Sequence, residues 1–267
     1  MSFLLKHLSK YKYVLMSFIL IILVFILIFV IFKFNNNGET KISAETTAFN
    51  PDALSEKTNQ QLSGDSIFLV ICQEKSASDV VFMTLVDFKI FGEKIIITPL
   101  DIETMTESGT FREKYEYGGI SLLSESIENE RNINIDRYAV IDKDGFCDII
   151  DLMGEVDLYV DEEFTYSSSE KSYHIGVGNN TLEAPMLYSY LKIKYKNSDD
   201  VEFTELLCKI INSYLNTVEE NDALRLFEDL SNCINSDLSI SDYYSAENDI
   251  IHLINGNTTC IPYYEGE

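Results

Sequence analysis

The chain has 267 residues, of which 46% are hydrophobic and 24% are charged, a composition too apolar for general disorder. Its 44 acidic side chains outnumber its 20 lysines and arginines, and the net charge of −24 argues against a protein that wraps polyanionic nucleic acid. The five cysteines form no C-x-x-C pair and the three histidines lie far apart, so neither a zinc site nor a His-based triad is indicated. We expect one ordinary domain plus an appendage, in which any metal chemistry is carboxylate chemistry.

The N-terminal segment is predicted to anchor the chain in a membrane. Residues 13–32 contain no charged side chain, and such a run at about 1.5 Å per helical residue spans the roughly 30 Å hydrocarbon core. A cleaved signal peptide is the alternative, but its apolar part is usually only about 7 to 15 residues long. Three lysines precede the run and one follows it directly, which favours a cytoplasmic N-terminus. We predict a short cytoplasmic N-terminus (1–12), a transmembrane anchor (13–34), an extracytoplasmic linker (35–64) and an extracytoplasmic domain (65–267).

The domain begins with three short apolar runs rich in β-branched and aromatic residues, which predict buried strands. They cover residues 66–73, 79–88 and 94–100. After Gly118 and Gly119, apolar residues recur at helical spacing and predict a helix. A strand (137–142), a short helix (145–154) and another strand (156–160) are predicted to follow. This alternation favours an α/β fold whose sheet is covered by helices.

The last third of the chain is predicted to be mainly helical. An apolar stripe over residues 204–218 predicts one helix, Asp222 is typical of the N-cap of the next, and residues 241–254 are predicted to form the last. Cys208 and Cys233 lie on two of these helices, so the alternatives for them are a disulfide outside the membrane and simple burial.

Three lysines precede these helices at alternate positions. Lys192, Lys194 and Lys196 are predicted to lie on a strand. That strand either faces a phosphate or presents one exposed face at the edge of the sheet, where lysines discourage aggregation.

Three stretches in the middle of the chain carry a family resemblance. They are the Gly118-Gly119 pair, INIDRYAVIDKDGFCDIIDLMGEVDLYV (133–160) and IGVGNNTLEAPMLYSYLKIKYKNSDD (175–200). The chain resembles the extracytoplasmic domain of the LytR-CpsA-Psr family of cell-envelope proteins over roughly residues 66–218. The resemblance implies an α/β fold with a central mixed sheet flanked by helices, here preceded by one N-terminal transmembrane helix. It also implies a transferase that moves a glycopolymer from a polyprenyl-pyrophosphate lipid to peptidoglycan.

The resemblance also implies candidate site residues. A pyrophosphate leaving group needs Mg²⁺ or arginines to stabilise its charge, and the planar guanidinium binds phosphate oxygens bidentately. Asp101 matches a family aspartate, whereas Lys192 and Lys194 stand in place of paired arginines. We take these three as candidate catalytic residues and the two lysines as candidate contacts of the lipid pyrophosphate. The candidate ligands of a hydrated Mg²⁺ are Asp79, Asp199 and Asp200.

Departures from the family pattern predict weakened or lost catalysis. Leu100 replaces the arginine of the family's Ser-Ile-Pro-Arg-Asp turn, and the usual first-strand aspartate is Gln73 or absent. None of the four arginines matches a family position, and an arginine-and-glutamine motif is replaced by Phe203, Leu206 and Leu207. In so acidic a chain, each candidate aspartate is also explained as a solvated or capping residue.

Three hypotheses about function remain. The chain is a divergent glycopolymer transferase that uses lysines, a relative that binds the lipid or a partner without catalysis, or an unrelated anchored adaptor with an acidic surface. The first hypothesis predicts Mg²⁺-dependent turnover, the second predicts binding without turnover, and the third predicts no lipid binding. We expect this chain to act in the cell-envelope process of the first hypothesis and to bind without catalysis, as in the second.

Overall fold

The computed structural model describes residues 62–75, 79–167, 172–197, 200–215 and 223–263. The predicted cytoplasmic N-terminus and transmembrane anchor, and most of the linker, lie outside these ranges. Within them, no helix combines the length and the apolar character that a membrane span requires.

The strands of the domain are β1 Ser66–Gln73, β2 Val80–Lys89, β3 Lys94–Pro99, β4 Met105–Thr106, β5 Gly109–Thr110, β6 Arg137–Ile141, β7 Val156–Val160, β8 Phe164–Ser167, β9 Ser172–Ile175, β10 Gly178–Leu182, β11 Asn235–Ser236 and β12 Thr259–Pro262. The helices are α1 Phe111–Arg131, α2 Lys143–Met153, α3 Ala184–Asn197, α4 Asp200–Leu215, α5 Ala223–Ser231 and α6 Ile240–Asn255.

A six-stranded mixed sheet in the order β11-β6-β1-β2-β3-β12 forms the centre of the domain. β1 pairs in parallel with β6, and β3 pairs in parallel with β12, whereas the other neighbouring strands are antiparallel. β1 is buried along most of its length, as its continuous apolar sequence requires of a strand covered on both faces. The predicted α/β fold with a mixed central sheet is therefore confirmed, and β1 has its predicted bounds.

Helices cover both faces of the sheet. On one face α1 packs against β1 and β2 in a cluster that includes Leu69, Ile71, Met83, Leu85, Phe111, Leu123 and Ile127. The larger cluster, on the other face, contains side chains from the strands and from the five helices α2, α3, α4, α5 and α6. It includes Phe68, Val70, Phe88, Ile149, Leu187, Phe203, Phe227 and Ile250. Alternate residues of β1 thus enter two different cores, because successive side chains of a strand point to opposite faces.

α1 begins before the glycine pair, at Phe111, and not after it as the apolar spacing predicted. Thr110 caps the helix: its hydroxyl accepts from the Glu113 N–H, and the Glu113 carboxylate accepts from the Thr110 N–H at 2.8 Å. Gly119 interrupts the helix with φ 64° and ψ −158°, a backbone conformation essentially restricted to glycine. Gly119, after which the helix was predicted to start, therefore forms a kink inside a longer helix.

The lysine-rich segment is helical, so its prediction as a strand is wrong. α3 covers Ala184–Asn197 and includes all three alternating lysines. Its buried residues Leu187, Tyr188 and Leu191 recur at helical spacing and pack into the larger core. This apolar stripe determines the local structure, and the alternation of the lysines is incidental to it.

The C-terminal helices lie close to their predicted positions, whereas the last strand was not predicted. α4 covers Asp200–Leu215 and α6 covers Ile240–Asn255. The predicted cap Asp222 falls in a gap between the described ranges. β12 completes the sheet by pairing with β3, more than 150 residues earlier in the chain.

Cys208 is buried, as one of the two alternatives predicted, but the thiol beside it is that of Cys260 and not that of Cys233. All five cysteines are free thiols, and Cys208 is buried. Its sulfur lies 3.2 Å from that of Cys260 on β12. Cys233 lies in the turn after α5, where its thiol is 3.6 Å from the Asp229 carbonyl oxygen.

Candidate functional site

Several candidate residues lie at the end of the sheet where β1 and β3 finish. Both strands are antiparallel to β2 and therefore run in the same direction. α3 contacts both ends: the Lys192 Nζ is 2.6 Å from Glu74 Oε1, and the Tyr195 hydroxyl donates to the Leu100 carbonyl at 2.6 Å. We call Glu74, Leu100, Asp101, Lys192 and Tyr195 the sheet-end site.

Lys192 is the candidate phosphate contact that the structure places beside β1. Its ion pair with Glu74 is partly solvated, since each side chain is 36% exposed. Nearby, the Tyr115 hydroxyl of α1 donates to Gln73 Oε1 at 2.8 Å, and burial raises the pKa of Tyr115. The residue in place of the expected first-strand aspartate is thus a neutral amide whose oxygen is already engaged.

Lys194 points in a different direction from Lys192, because two residues turn a helix by about 200°. Its ammonium donates to Glu202 of α4 at 2.7 Å and lies 5.9 Å from the centre of the Tyr190 ring. Partial burial is the largest single effect and lowers the pKa of Lys194, but the hydrogen bond to Glu202 and the nearby negative charges together leave the pKa raised. The two lysines therefore bind separate carboxylates and do not form the side-by-side pair expected of a strand.

Tyr195 connects α3 to the end of β3 and to the start of α4. Its ring packs edge-to-face on Phe203, with ring centres 5.0 Å apart, and lies near Phe82. Burial strongly raises the pKa of Tyr195; the negative charges of Asp101 and Asp200 raise it further, and Arg112 opposes them. The hydroxyl therefore remains a hydrogen-bond donor surrounded by charged groups.

Arg112 is a cation near this site that the sequence analysis did not select. It lies in the first turn of α1, where its Nε donates to Glu103 at 2.6 Å. The available signal was the Thr-x-x-Glu capping box of residues 110–113, which marks the helix start and places Arg112 in its first turn.

The candidate aspartates have ordinary local contacts. Asp101 is exposed, and its Oδ1 accepts from the Glu103 N–H at 2.9 Å. Asp79 is exposed just before β2, and its carbonyl accepts from the Glu74 N–H at 3.0 Å. Asp200 is exposed as the first residue of α4, and Asp199 lies outside the described ranges.

Metal binding by side chains alone finds no support in the described part of the chain. There, no three acidic, histidine or cysteine side chains lie close enough together to hold a metal ion. Mg²⁺, however, is commonly bound through one or two carboxylates together with substrate phosphates and water. Among the candidate aspartates, Asp79, Asp101 and Asp200 are exposed to solvent.

Comparison with known proteins identifies the family. A model of the LytR_cpsA_psr family matches residues 55–255 of the 267. The chain belongs to the LytR-CpsA-Psr family. The matched region includes the sheet-end site and all six helices given above.

Curated relatives within the LytR-CpsA-Psr family are transferases by name. A polyisoprenyl-teichoic acid–peptidoglycan teichoic acid transferase TagU of Bacillus anthracis is 26% identical over 126 residues, covering 46% of this chain and 40% of the relative. The TagU of Enterococcus faecalis is 24% identical over 150 residues, covering 54% and 48%. The chain thus spans less than half the length of either relative.

Solved structures share the fold at low sequence identity. A protein of Eubacterium siraeum is 16% identical with a TM-score of 0.65, covering 85% of this chain and 89% of that one. Bacillus subtilis TagV is 15% identical with a TM-score of 0.61, covering 76% and 86%. The LytR-CpsA-Psr-like arrangement of sheet and helices is therefore shared, as the resemblance predicted.

Three residues that the sequence analysis matched to polar family positions are buried in the cores. Leu100 is buried beneath α1, and Phe203 is buried between Phe82 and Tyr195. Leu206 belongs to the same larger core as Phe203. These three side chains therefore contribute apolar contacts to the fold.

Proposed function

We propose that this chain is a membrane-anchored, extracytoplasmic protein of cell-envelope biogenesis. It binds a polyprenyl-pyrophosphate lipid at the sheet-end site and transfers the attached glycopolymer weakly or not at all. Family membership, the uncharged run over residues 13–32 and the transferase names of the relatives support this proposal.

The observation that carries the proposal is that three candidate phosphate-binding cations are each paired with a carboxylate. Lys192 binds Glu74, Lys194 binds Glu202 and Arg112 binds Glu103. Partly exposed ion pairs contribute only about 0–1 kcal/mol, so a phosphate can compete for the cations. Binding of a pyrophosphate is therefore compatible with the site.

Efficient transfer makes a stronger demand on the same residues. An acceptor hydroxyl forms a bond to the phosphorus next to the glycopolymer and releases its proton to solvent, the bond to the polyprenyl phosphate breaks, and negative charge grows on the departing phosphate. Positioned cations must meet that charge as it develops. Lysine ammoniums act as point charges without the bidentate fork of arginine, and Leu100 supplies no charge at all. Weak or lost transfer follows from this difference.

Asp101, Lys192 and Lys194 remain the proposed catalytic residues, with the two lysines as pyrophosphate contacts. Asp79, Asp199 and Asp200 remain the proposed Mg²⁺ ligands. When bound, Mg²⁺ would neutralise phosphate charge. Arg112 joins this set as a proposed phosphate contact, since its backbone N–H donates at 2.8 Å to the carbonyl of Ile102, the residue after Asp101.

A transfer assay tests the proposal. The full chain in detergent is given a polyprenyl-pyrophosphate lipid bearing a labelled glycopolymer, together with peptidoglycan, with Mg²⁺ or with EDTA, and B. anthracis TagU serves as the reference. We expect the lipid to be retained by the protein and the label to reach peptidoglycan at least about 100-fold more slowly than with TagU, because removing one positioned charge donor commonly costs that much.

Two results would contradict the proposal in different ways. Transfer at the rate of TagU would contradict weakened catalysis and make the chain a lysine-based transferase. Failure to retain the lipid would contradict the binding site and favour an adaptor that acts through protein partners.

A further inference from the structure

Two buried cysteines meet where the C-terminal strand packs against α4. Cys208 and Cys260 are 3% and 2% exposed, and their sulfur atoms are 3.2 Å apart. A disulfide bond is about 2.05 Å long, so the two sulfurs need to approach by roughly 1.2 Å.

Asn212 holds the two elements in this register. It lies one helical turn after Cys208, and its amide nitrogen donates to the Cys260 carbonyl at 2.7 Å. The Cys260 N–H donates to the Asn212 amide oxygen, also at 2.7 Å. These two hydrogen bonds fix the backbone of Cys260 opposite the helix face that bears Cys208, so the sulfur contact follows from main-chain geometry.

We propose that Cys208 and Cys260 form a disulfide bond that fastens the last strand to α4. Both thiol S–H bonds break, one S–S bond forms, and two electrons and two protons pass to a small disulfide such as oxidised glutathione, which becomes two thiols. One cysteine thiolate first attacks the small disulfide, and the second cysteine then displaces its remaining half.

Oxidation is expected to be slow in the closed fold. Burial raises the pKa of the Cys260 thiol, and the neighbouring Cys208 raises it further, so the reactive thiolate is scarce. β12 is at the edge of the sheet, where it pairs with β3 alone among the described strands. The bond therefore forms during folding or when this strand separates transiently.

The bond would stiffen the scaffold of the sheet-end site. β12 pairs with β3, which leads into Leu100 and Asp101, and α4 begins at Asp200. Joining residues 208 and 260 also closes a long loop, which restricts the unfolded chain strongly. Formation in the cell rests on the extracytoplasmic placement proposed above, because disulfides persist in oxidising compartments, but reaction of the purified chain does not.

The test is oxidation of the purified full chain with oxidised glutathione, followed by thiol alkylation under denaturing conditions and peptide mass spectrometry. We expect a cross-linked peptide pair containing Cys208 and Cys260, loss of two of the five alkylatable thiols, and a higher thermal midpoint that dithiothreitol reverses. A Cys72→Ser/Cys147→Ser/Cys233→Ser variant should give the same shift, whereas Cys208→Ser and Cys260→Ser should give none.

The mapping in the unaltered chain decides the matter even if a variant folds poorly. Full alkylation of Cys208 and Cys260 after oxidation of the refolded chain would overturn the proposal, as would a cross-link from either one to a different cysteine. An unchanged thermal midpoint in the oxidised chain would overturn the stiffening role. None of these results depends on lipid binding, so they are separate from the outcome of the transfer assay.

Discussion

At the scale of single residues, we expect the ion pair between Lys192 and Glu74 to control how available the sheet-end site is to phosphate. Glu74 occupies one donor direction of the ammonium at 2.6 Å. Replacing Glu74 by glutamine removes the competing charge without shortening the side chain. Because a partly exposed pair is worth up to about 1 kcal/mol, Glu74→Gln should tighten binding of a pyrophosphate lipid roughly twofold to fivefold.

Titration of the lipid into Glu74→Gln and into a matched control, Glu205→Gln, would measure this effect. Glu205 is an exposed glutamate on α4. Equal affinities of the Glu74→Gln variant and the unaltered chain, or a loss of affinity, would mean that Lys192 does not contact the phosphate.

Asp237 gives the domain a pH dependence of stability opposite in sign to that of a carboxylate whose pKa is lowered by ion pairing. Burial raises its pKa from 3.8 to about 6, although the Tyr138 N–H and the charge of Arg137 act in the other direction. The folded state therefore binds this proton more tightly than the unfolded state. The resulting stability is fully present below about pH 4 and is lost as the pH rises through about 6.

Asp237→Asn should flatten this dependence, since an amide keeps an acceptor for the Tyr138 N–H but does not titrate. Urea unfolding at pH 4.5, 5.5 and 7 should give a free energy of unfolding whose fall with pH is smaller in Asp237→Asn, by on the order of 2 kcal/mol. Asp229→Asn, at an exposed position, is the control. Identical pH profiles for both variants would show that Asp237 is not the responsible group.

At the scale of elements, Gly119 permits α1 to continue past a kink. A Cβ at this position would meet no atom within 4 Å, so the backbone conformation alone opposes other residues. We expect Gly119→Ala to lower the free energy of unfolding by about 1–3 kcal/mol. Gly92→Ala is the control, because its Cβ would meet Lys89 at an ordinary 3.5 Å without a left-handed φ. Equal stability of the two variants would contradict the assigned kink.

Three elements show which parts of the fold can be predicted from the sequence. β1 was predictable to the residue because a strand buried on both faces is a continuous apolar run. The part of α3 with alternating lysines was wrongly predicted as a strand, although Leu187, Tyr188 and Leu191 form an apolar stripe with helical spacing. β12 could not be predicted locally, because four residues acquire their structure only by pairing with β3.

The candidate site was predictable in part for the same reason. The positions of Asp101 and Lys192 followed from the family pattern, and the structure places both at the sheet end. The ion pairs made by Lys192 and Lys194 join residues distant in the chain or on different helices, and no local pattern indicates them. Arg112 was missed because recognising it depends on where α1 starts.

At the scale of the whole molecule, the proposal requires a LytR-CpsA-Psr fold with a net charge of −24 to bind an anionic lipid against its own electrostatic field. In the proposal, local cations at the sheet end and Mg²⁺ offset the repulsion between the acidic chain and the lipid. The acidity of the chain therefore makes Mg²⁺ dependence of binding an integral part of the account.

The most direct measurement is calorimetric titration of the full chain in detergent with a short-chain polyprenyl pyrophosphate, with and without Mg²⁺, alongside Lys192→Ala. Lys209→Ala, an exposed lysine on α4, is the matched control. We predict Mg²⁺-dependent binding that Lys192→Ala weakens by about tenfold or more, as expected for a lost hydrogen bond to a charged group, and that Lys209→Ala leaves unchanged. No binding at millimolar lipid, or equal affinity in the unaltered chain and Lys192→Ala, would contradict a lipid site at the end of the sheet.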